Sequence, residues 1–274
     1  MPQFRNAGRP LRVLTALVLA AAAPGLTACQ NFGDVTGSIA ASGRMPTGDA
    51  QLRAYADAAR SRYERNPGEK IASIDYARAL RAMTRYDEAV AVMQTAAIKA
   101  PKDEEVLGEY GKALADGGQL AQAKDVLTRA YTPDDPKWDV MSVQGAVADR
   151  MGDHATAMRF YRDALKIAPG EPSVLTNMGL SLALNRQLPE AEKTLRQAVA
   201  SPKADARMRG DLALVLALER KYAEAEEVSR ADLSAEQARA NVEAIKRMIA
   251  DSGPLQDLRK PAKAAKQGAQ AQAG

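Results

Sequence analysis

Ala89, Ala123, Ala157, Ala191 and Ala225 stand 34 residues apart at every step. The phrases around them are alike: RYDEAV, QLAQAK, DHATAM, QLPEAE and KYAEAE. Twelve residues ahead of each alanine lies another small residue: Ala77, Gly111, Gly145, Gly179 and Ala213. Seven residues behind lie Ala96, Ala130, Ala164 and Ala198, until Asp232 breaks the column. Three small-residue columns kept in one register over five units define a repeat, and each unit must bury its apolar face on its neighbours.

A unit of 34 residues has room for two helices of about 13 residues, at roughly 1.5 Å per residue, and two short turns. Small side chains let the two backbones approach where they cross. Met93, Leu127, Tyr161 and Leu195 follow the central alanines by four residues, so they lie on the same helix face and fill the next shell. Gly118 and Gly152 fall where paired helices must turn, and Pro67, Pro101 and Pro169 fall where a unit ends. Aromatic residues are only 4% of the chain, which disfavours a β-sandwich. The expected fold is an all-α solenoid.

The columns resemble the tetratricopeptide repeat (TPR), which places a small residue at repeat position 8 and alanine at positions 20 and 27. The resemblance divides the chain into units at 70–103, 104–137, 138–171, 172–205 and 206–233, the last degenerate at its end. At position 4, where the family often has an aromatic residue, stand Ser73, Leu107, Met141, Leu175 and Arg209. Residues 51–69 read as an N-terminal capping helix. Residues 234–250, opening on Ser and Glu in N-cap arrangement, read as a C-terminal one. The lysine and asparagine of the family's clamp for C-terminal carboxylates are missing: Ile74/Arg78, Gly108/Lys112 and Ser142/Ala146 occupy those places.

Ahead of the repeats, Arg5, Arg9 and Arg12 precede an apolar run from Val13 to Ala23, and Pro24 and Gly25 end it. The run is too short to span a bilayer, which takes about 20 apolar residues, and the order is that of an export signal. Leu26, Thr27 and Ala28 then lead to Cys29, the only cysteine. This resembles the bacterial lipobox and implies a signal peptide over 1–28, lipidation of Cys29 and a membrane anchor. Gln30 rather than Asp follows the cysteine, which by the enterobacterial sorting rule implies the outer membrane. Residues 29–50 read as a flexible tether. Residues 251–274 read as a disordered basic tail with Arg259, Lys260, Lys263 and Lys266. Three of the 38 basic residues and none of the 34 acidic ones lie in the signal. The rest is near neutral, and no nucleic-acid partner is expected.

No catalytic constellation is evident, so neither cofactor, metal nor small-molecule substrate is expected. The one histidine, His154, stands where the other units have Tyr86, Leu120, Leu188 and Tyr222. The phrase GEYGK, residues 108–112, has no Ser or Thr after Lys112 and no strand before it, so it is not a phosphate loop. What remains is the groove that TPR geometry lines with first helices. In the first three units it offers Arg78, Arg81, Lys112, Asp116, Asp149 and Arg150, read as a solvated face of mixed charge. In the last two it offers Leu180, Ala183, Leu184, Leu214, Ala217 and Leu218. Those six are the candidate protein-binding residues, open to a partner or closed by the terminal helix.

Among exported TPR lipoproteins the chain resembles the TadD family of tight-adherence (Flp pilus) systems, in the lipobox, the repeat count and the ending LSAEQARANVEAIKRM. That resemblance implies a scaffold in pilus assembly, with a secretin or another component of the system as partner. The alternative is a general periplasmic adaptor that recruits a peptidoglycan-acting enzyme.

Overall fold

The computed structural model describes Pro46 and residues 48–251. Cys29, the signal, most of the tether and the basic tail lie outside the described residues. Within them the chain is all helical. Five first helices, α2 (Lys70–Ala82), α4 (Glu104–Asp116), α6 (Trp138–Arg150), α8 (Pro172–Leu184) and α10 (Ala206–Leu218), have the same length and begin one sequence period apart. Each is followed by a second helix: α3 (Tyr86–Lys99), α5 (Leu120–Thr128), α7 (His154–Ile167), α9 (Leu188–Val199) and α11 (Tyr222–Ser229). These begin in register but end unevenly. The flanking helices are α1 (Asp49–Arg65) and α12 (Ala235–Asp251).

Local chemistry sets the starts. The Asp103 carboxylate accepts the Val106 N–H at 3.1 Å, and Asp205 accepts that of Met208 at 2.8 Å. Glu69 accepts from both Ile71 and Ala72. Helix α8 has Pro172 in its first turn, which leaves one fewer amide to satisfy. The turn between paired helices needs one residue in the left-handed region. Thr84, Gly118, Gly152, Arg186 and Arg220 fill it in the five units, with φ of 57°, 76°, 83°, 62° and 64°. A side chain with a Cβ costs about 1–2 kcal/mol there, and glycine's chain entropy cancels part of the relief. Arg186→Gly and Arg220→Gly are each expected to stabilise the protein by about 0.5–1 kcal/mol. Urea midpoints measure this, and unchanged midpoints would mean the turns relax without cost.

First helices touch the first helices of the neighbouring units, while second helices make no comparable contact with one another, so the first helices line the inner side of the stack. The three small-residue columns are fully buried wherever they hold alanine. The glycines of the first column are steric necessities. A Cβ on Gly111, Gly145 or Gly179 would sit 2.4, 2.5 or 2.6 Å from Leu127, Tyr161 or Leu195. Where the column carries alanine, the residue at the facing repeat position is unbranched Met93 or small Ser229. Size is matched across each crossing, unit by unit.

Two departures from the repeat pattern compensate each other. Arg209, at the place of the missing aromatic, forms a two-pronged ion pair with Asp232, the residue that interrupts the alanine column, at 2.6 and 2.5 Å. The last unit is closed at its edge by charge, where units two to four carry Leu107, Met141 and Leu175 with Ala130, Ala164 and Ala198.

Helix α12 opens on a reciprocal cap. Ser234 Oγ accepts the Gln237 N–H at 3.2 Å, and Gln237 Oε1 accepts the Ser234 N–H at 3.0 Å. The partner of Ser234 is thus Gln237, three residues on, and not the nearer Glu236. The helix buries Ala238, Val242, Ile245 and Ile249. It packs on α10 and α11, the two positions a further first helix would contact. At the other end α1 packs on α2, with the Tyr63 and Tyr76 rings 5.6 Å apart. Both ends of the solenoid therefore have an apolar cover.

Candidate partner-binding groove

The inner surface has two chemically different halves. In units one to three it is a buried polar ladder running from one first helix to the next. Arg78 and Arg81 of α2 reach Glu109 of α4 at 3.0 and 3.4 Å, and Arg81 also reaches Asp116 at 2.6 Å. Lys112 of α4 bonds Glu109 at 2.9 Å and Asp139 of α6 at 2.6 Å. Arg150 of α6 donates back to the Ala115 carbonyl. The Asp149 carboxylate gathers His154 Nδ1 at 2.6 Å, the Tyr161 hydroxyl at 2.8 Å and the Ser181 hydroxyl of α8 at 2.8 Å. Asn177 of α8 donates to Ser142 of α6 at 3.1 Å.

The expectation of a solvated face of mixed charge is therefore corrected. The side chains of Arg81, Glu109 and Lys112 are only 3–4% exposed. The physical reason is that unlike charges on successive first helices meet, and each layer desolvates the one before it. Burial pushes the Glu109 carboxyl up, but Lys112, Arg81 and Arg78 outweigh it and hold the group at about 2. His154 lies in this ladder as a partner of Asp149. Among the described residues no group of three His, Cys, Asp or Glu side chains could hold a metal ion, and no helix is long and apolar enough to cross a membrane.

In units four and five the ladder gives way to leucine. The structure divides the six candidate binding residues. Leu180, Leu184 and Leu214 are half-buried on the inner side of α8 and α10. Ala183, Ala217 and Leu218 are buried, the last at 2% exposure, in one apolar cluster with Val242, Ile245 and Ile249 of α12. The first three are therefore the ones left accessible, while Ala217 and Leu218 belong to α10, the helix on which α12 packs. α12 adds a layer at the end of the stack and leaves the strip on α8 and α10 half-open.

Two buried oxygens on the first helices of this half accept no hydrogen bond. The Asp211 Oδ2 atom of α10 is buried with no hydrogen bond, and so is the amide oxygen of Asn177, one repeat earlier on α8. Burial raises the Asp211 carboxyl to about 6. Sequence reading missed both, because a single acid or amide at one repeat position looks like any other surface residue until its neighbours are placed.

The tetratricopeptide repeat family matches this chain over residues 80–140, 142–171 and 176–240. Among solved structures, PilF of Pseudomonas aeruginosa is similar at 18% identity and a TM-score of 0.51, over 77% of this chain and 90% of that one. A thermophilic TPR protein of Thermus thermophilus is similar at 23% identity and a TM-score of 0.52, over 63% and 97%. A chain of the APC/C hetero-tetramer reaches a TM-score of 0.56 at 14% identity, over 77% of this chain and 46% of that one. At these identities the likeness is one of fold. A search of curated proteins finds no match.

Proposed function

This chain belongs to the tetratricopeptide repeat family, whose solenoids are protein–protein interaction scaffolds, and from that premise we propose that it is a lipid-anchored scaffold of tight-adherence pilus assembly. The observation that carries the binding part is the half-open leucine strip of Leu180, Leu184 and Leu214 on the inner side of the stack. The membrane part rests on Cys29 behind its lipobox, and the pilus part on the resemblance of the chain's ending to the TadD family. In this reading the lipid holds the protein on the periplasmic side of a membrane, the outer one by the residue after Cys29. The stretch from Cys29 to Asp49 gives the solenoid a reach of about 25 Å if it behaves as a flexible chain. The partner is a secretin subunit or another component of the pilus system.

Two measurements test this. Cys29→Ser is expected to abolish labelling by a fatty-acid analogue and to release the protein from membranes; a variant that still takes up label would end the lipoprotein reading. Leu180→Glu with Leu214→Glu should abolish capture of the secretin subunit in a pull-down, with a melting midpoint close to that of the parent. Both leucines are half-buried, so charge is tolerated there, whereas Leu218→Glu would unfold the cap contact and decide nothing. Undiminished capture by the folded double variant would move the binding surface off this strip. Capture of a peptidoglycan-acting enzyme in place of the secretin would favour a general periplasmic adaptor.

A further inference from the structure

We infer that the groove between α8 and α10 takes a lysine or arginine side chain from the partner protein, with Asp211 as its counter-charge and Leu180 and Leu214 against its aliphatic stem. The inference rests on the reading of this groove as the protein-binding surface and adds the chemistry of what it recognises.

The repeat itself supplies the argument. Asp211 lies three repeat lengths after Glu109, at the same place in its first helix. Around Glu109 the chain provides three cations, Arg78, Arg81 and Lys112. Three repeat lengths after those residues stand Leu180, Ala183 and Leu214. The carboxylate has been kept and all its cations have been replaced by apolar side chains. The result is an acceptor with no partner, Asp211 Oδ2, and a second one on Asn177 at the same repeat position one unit earlier. A buried carboxylate oxygen without a donor costs several kcal/mol unless something supplies a charge. Arg207 on the same helix forms no ion pair with Asp211, and the negative charge of Asp205 at the helix start opposes its ionisation. The strip is also open to solvent: Leu180 and Leu214 are half-buried, and Asp211 itself is not fully covered. An ammonium or guanidinium group on an aliphatic stem satisfies both the orphan oxygen and the leucines. An acidic or purely apolar segment satisfies only one of them or neither.

The test uses the full chain in detergent and fluorescein-labelled nonapeptides of alanine and leucine with a central lysine, arginine, norleucine or glutamate. Lysine- or arginine-centred peptides are expected to bind at least tenfold more tightly than the norleucine peptide, and the glutamate peptide not at all. Asp211→Asn should weaken the cationic peptides at least tenfold, leave the norleucine peptide unchanged, and keep or raise the melting midpoint because an uncompensated carboxylate is gone. Equal binding of the lysine and norleucine peptides, no binding of any peptide, or indifference to Asp211→Asn would overturn the proposal. So would binding that appears only after Arg259, Lys260, Lys263 and Lys266 are changed to glutamine, since the occupant would then be this chain's own end. The two levels fail separately. Secretin capture lost in the Leu180/Leu214 variant but intact in Asp211→Asn removes the cation alone, whereas capture intact in both removes the groove.

Discussion

Gly111→Ala is expected to destabilise the solenoid by about 1–3 kcal/mol, although alanine is the better helix former by about 1 kcal/mol. Packing outweighs propensity because the added Cβ would lie 2.4 Å from Leu127 Cδ2 and 2.5 Å from its Cγ, well inside contact distance. Leu127 is fully buried and has nowhere to retreat. The first unit shows the way out, since Ala77 there goes with Met93 at the facing position. Methionine has no branch at Cγ and can carry its chain around an alanine methyl. Leu127→Met alone should cost less than about 1.5 kcal/mol as a volume-conserving swap. The double variant Gly111→Ala/Leu127→Met should recover most of the loss, giving a coupling of at least about 1 kcal/mol in a double-mutant cycle. Urea unfolding of the four proteins measures it. A neutral or stabilising Gly111→Ala would show that the crossing is loose and that glycine is there for another reason.

The fold class was legible because small residues at helix crossings recur at a fixed period, and few other architectures require that. Gly118 and Gly152 announced their turns through residue type. Thr84, Arg186 and Arg220 occupy the same left-handed position without announcing it, and only the period exposes them. Arg209 and Asp232 each looked like decay of the last unit, yet together they are one contact. The inner surface was read least well. Arg78, Arg81, Lys112 and Asp149 are charged, and charge on a helix usually means water. Their burial depends on what stands about one repeat away. Arg78 meets Glu109 and Arg81 meets Asp116 across successive first helices. The signal was present as unlike charges spaced one period apart, give or take a turn, and it becomes visible only once helices are stacked. For the leucine strip two covers were open, a partner or the terminal helix. Six apolar residues share the expected face, but Ala217 and Leu218 lie in the layer that α12 covers, and a one-dimensional pattern does not say where a stack ends.

Glu109→Leu is expected to cost about 3–5 kcal/mol, the loss that follows when one member of a buried ion network is removed and its cations are left uncompensated. Arg81 would keep Asp116 and Lys112 would keep Asp139, so the network would carry one excess positive charge behind side chains that are almost fully buried. The companion variant Glu109→Leu/Lys112→Leu removes one charge of each sign and copies the leucine that stands at Leu214. It should lie within about 2 kcal/mol of the parent, because a buried pair exchanged for apolar residues is often close to neutral. A cost below about 1 kcal/mol for Glu109→Leu would restore the solvated reading of this face. The same carboxylate sets a pH dependence. Its value is lowered from 4.5 to about 2 in the folded protein, so the unfolded chain binds its proton first as pH falls. The stabilisation, about 3 kcal/mol for a shift of this size, is fully present above the ordinary glutamate value and is lost as pH drops from about 4.5 towards 2. Glu192 is also held at about 2, and other lowered carboxyls such as Asp103 add to the same acid slope, so the parent's melting curve alone is not diagnostic. The difference between parent and Glu109→Leu is diagnostic. That gap should be wide at pH 6, close steadily below pH 4.5 and nearly vanish near pH 2. A gap that stays constant across that range would mean that Glu109 acts by shape and not by charge. The ladder of units one to three would then not be the ionic counterpart of the uncompensated Asp211 groove.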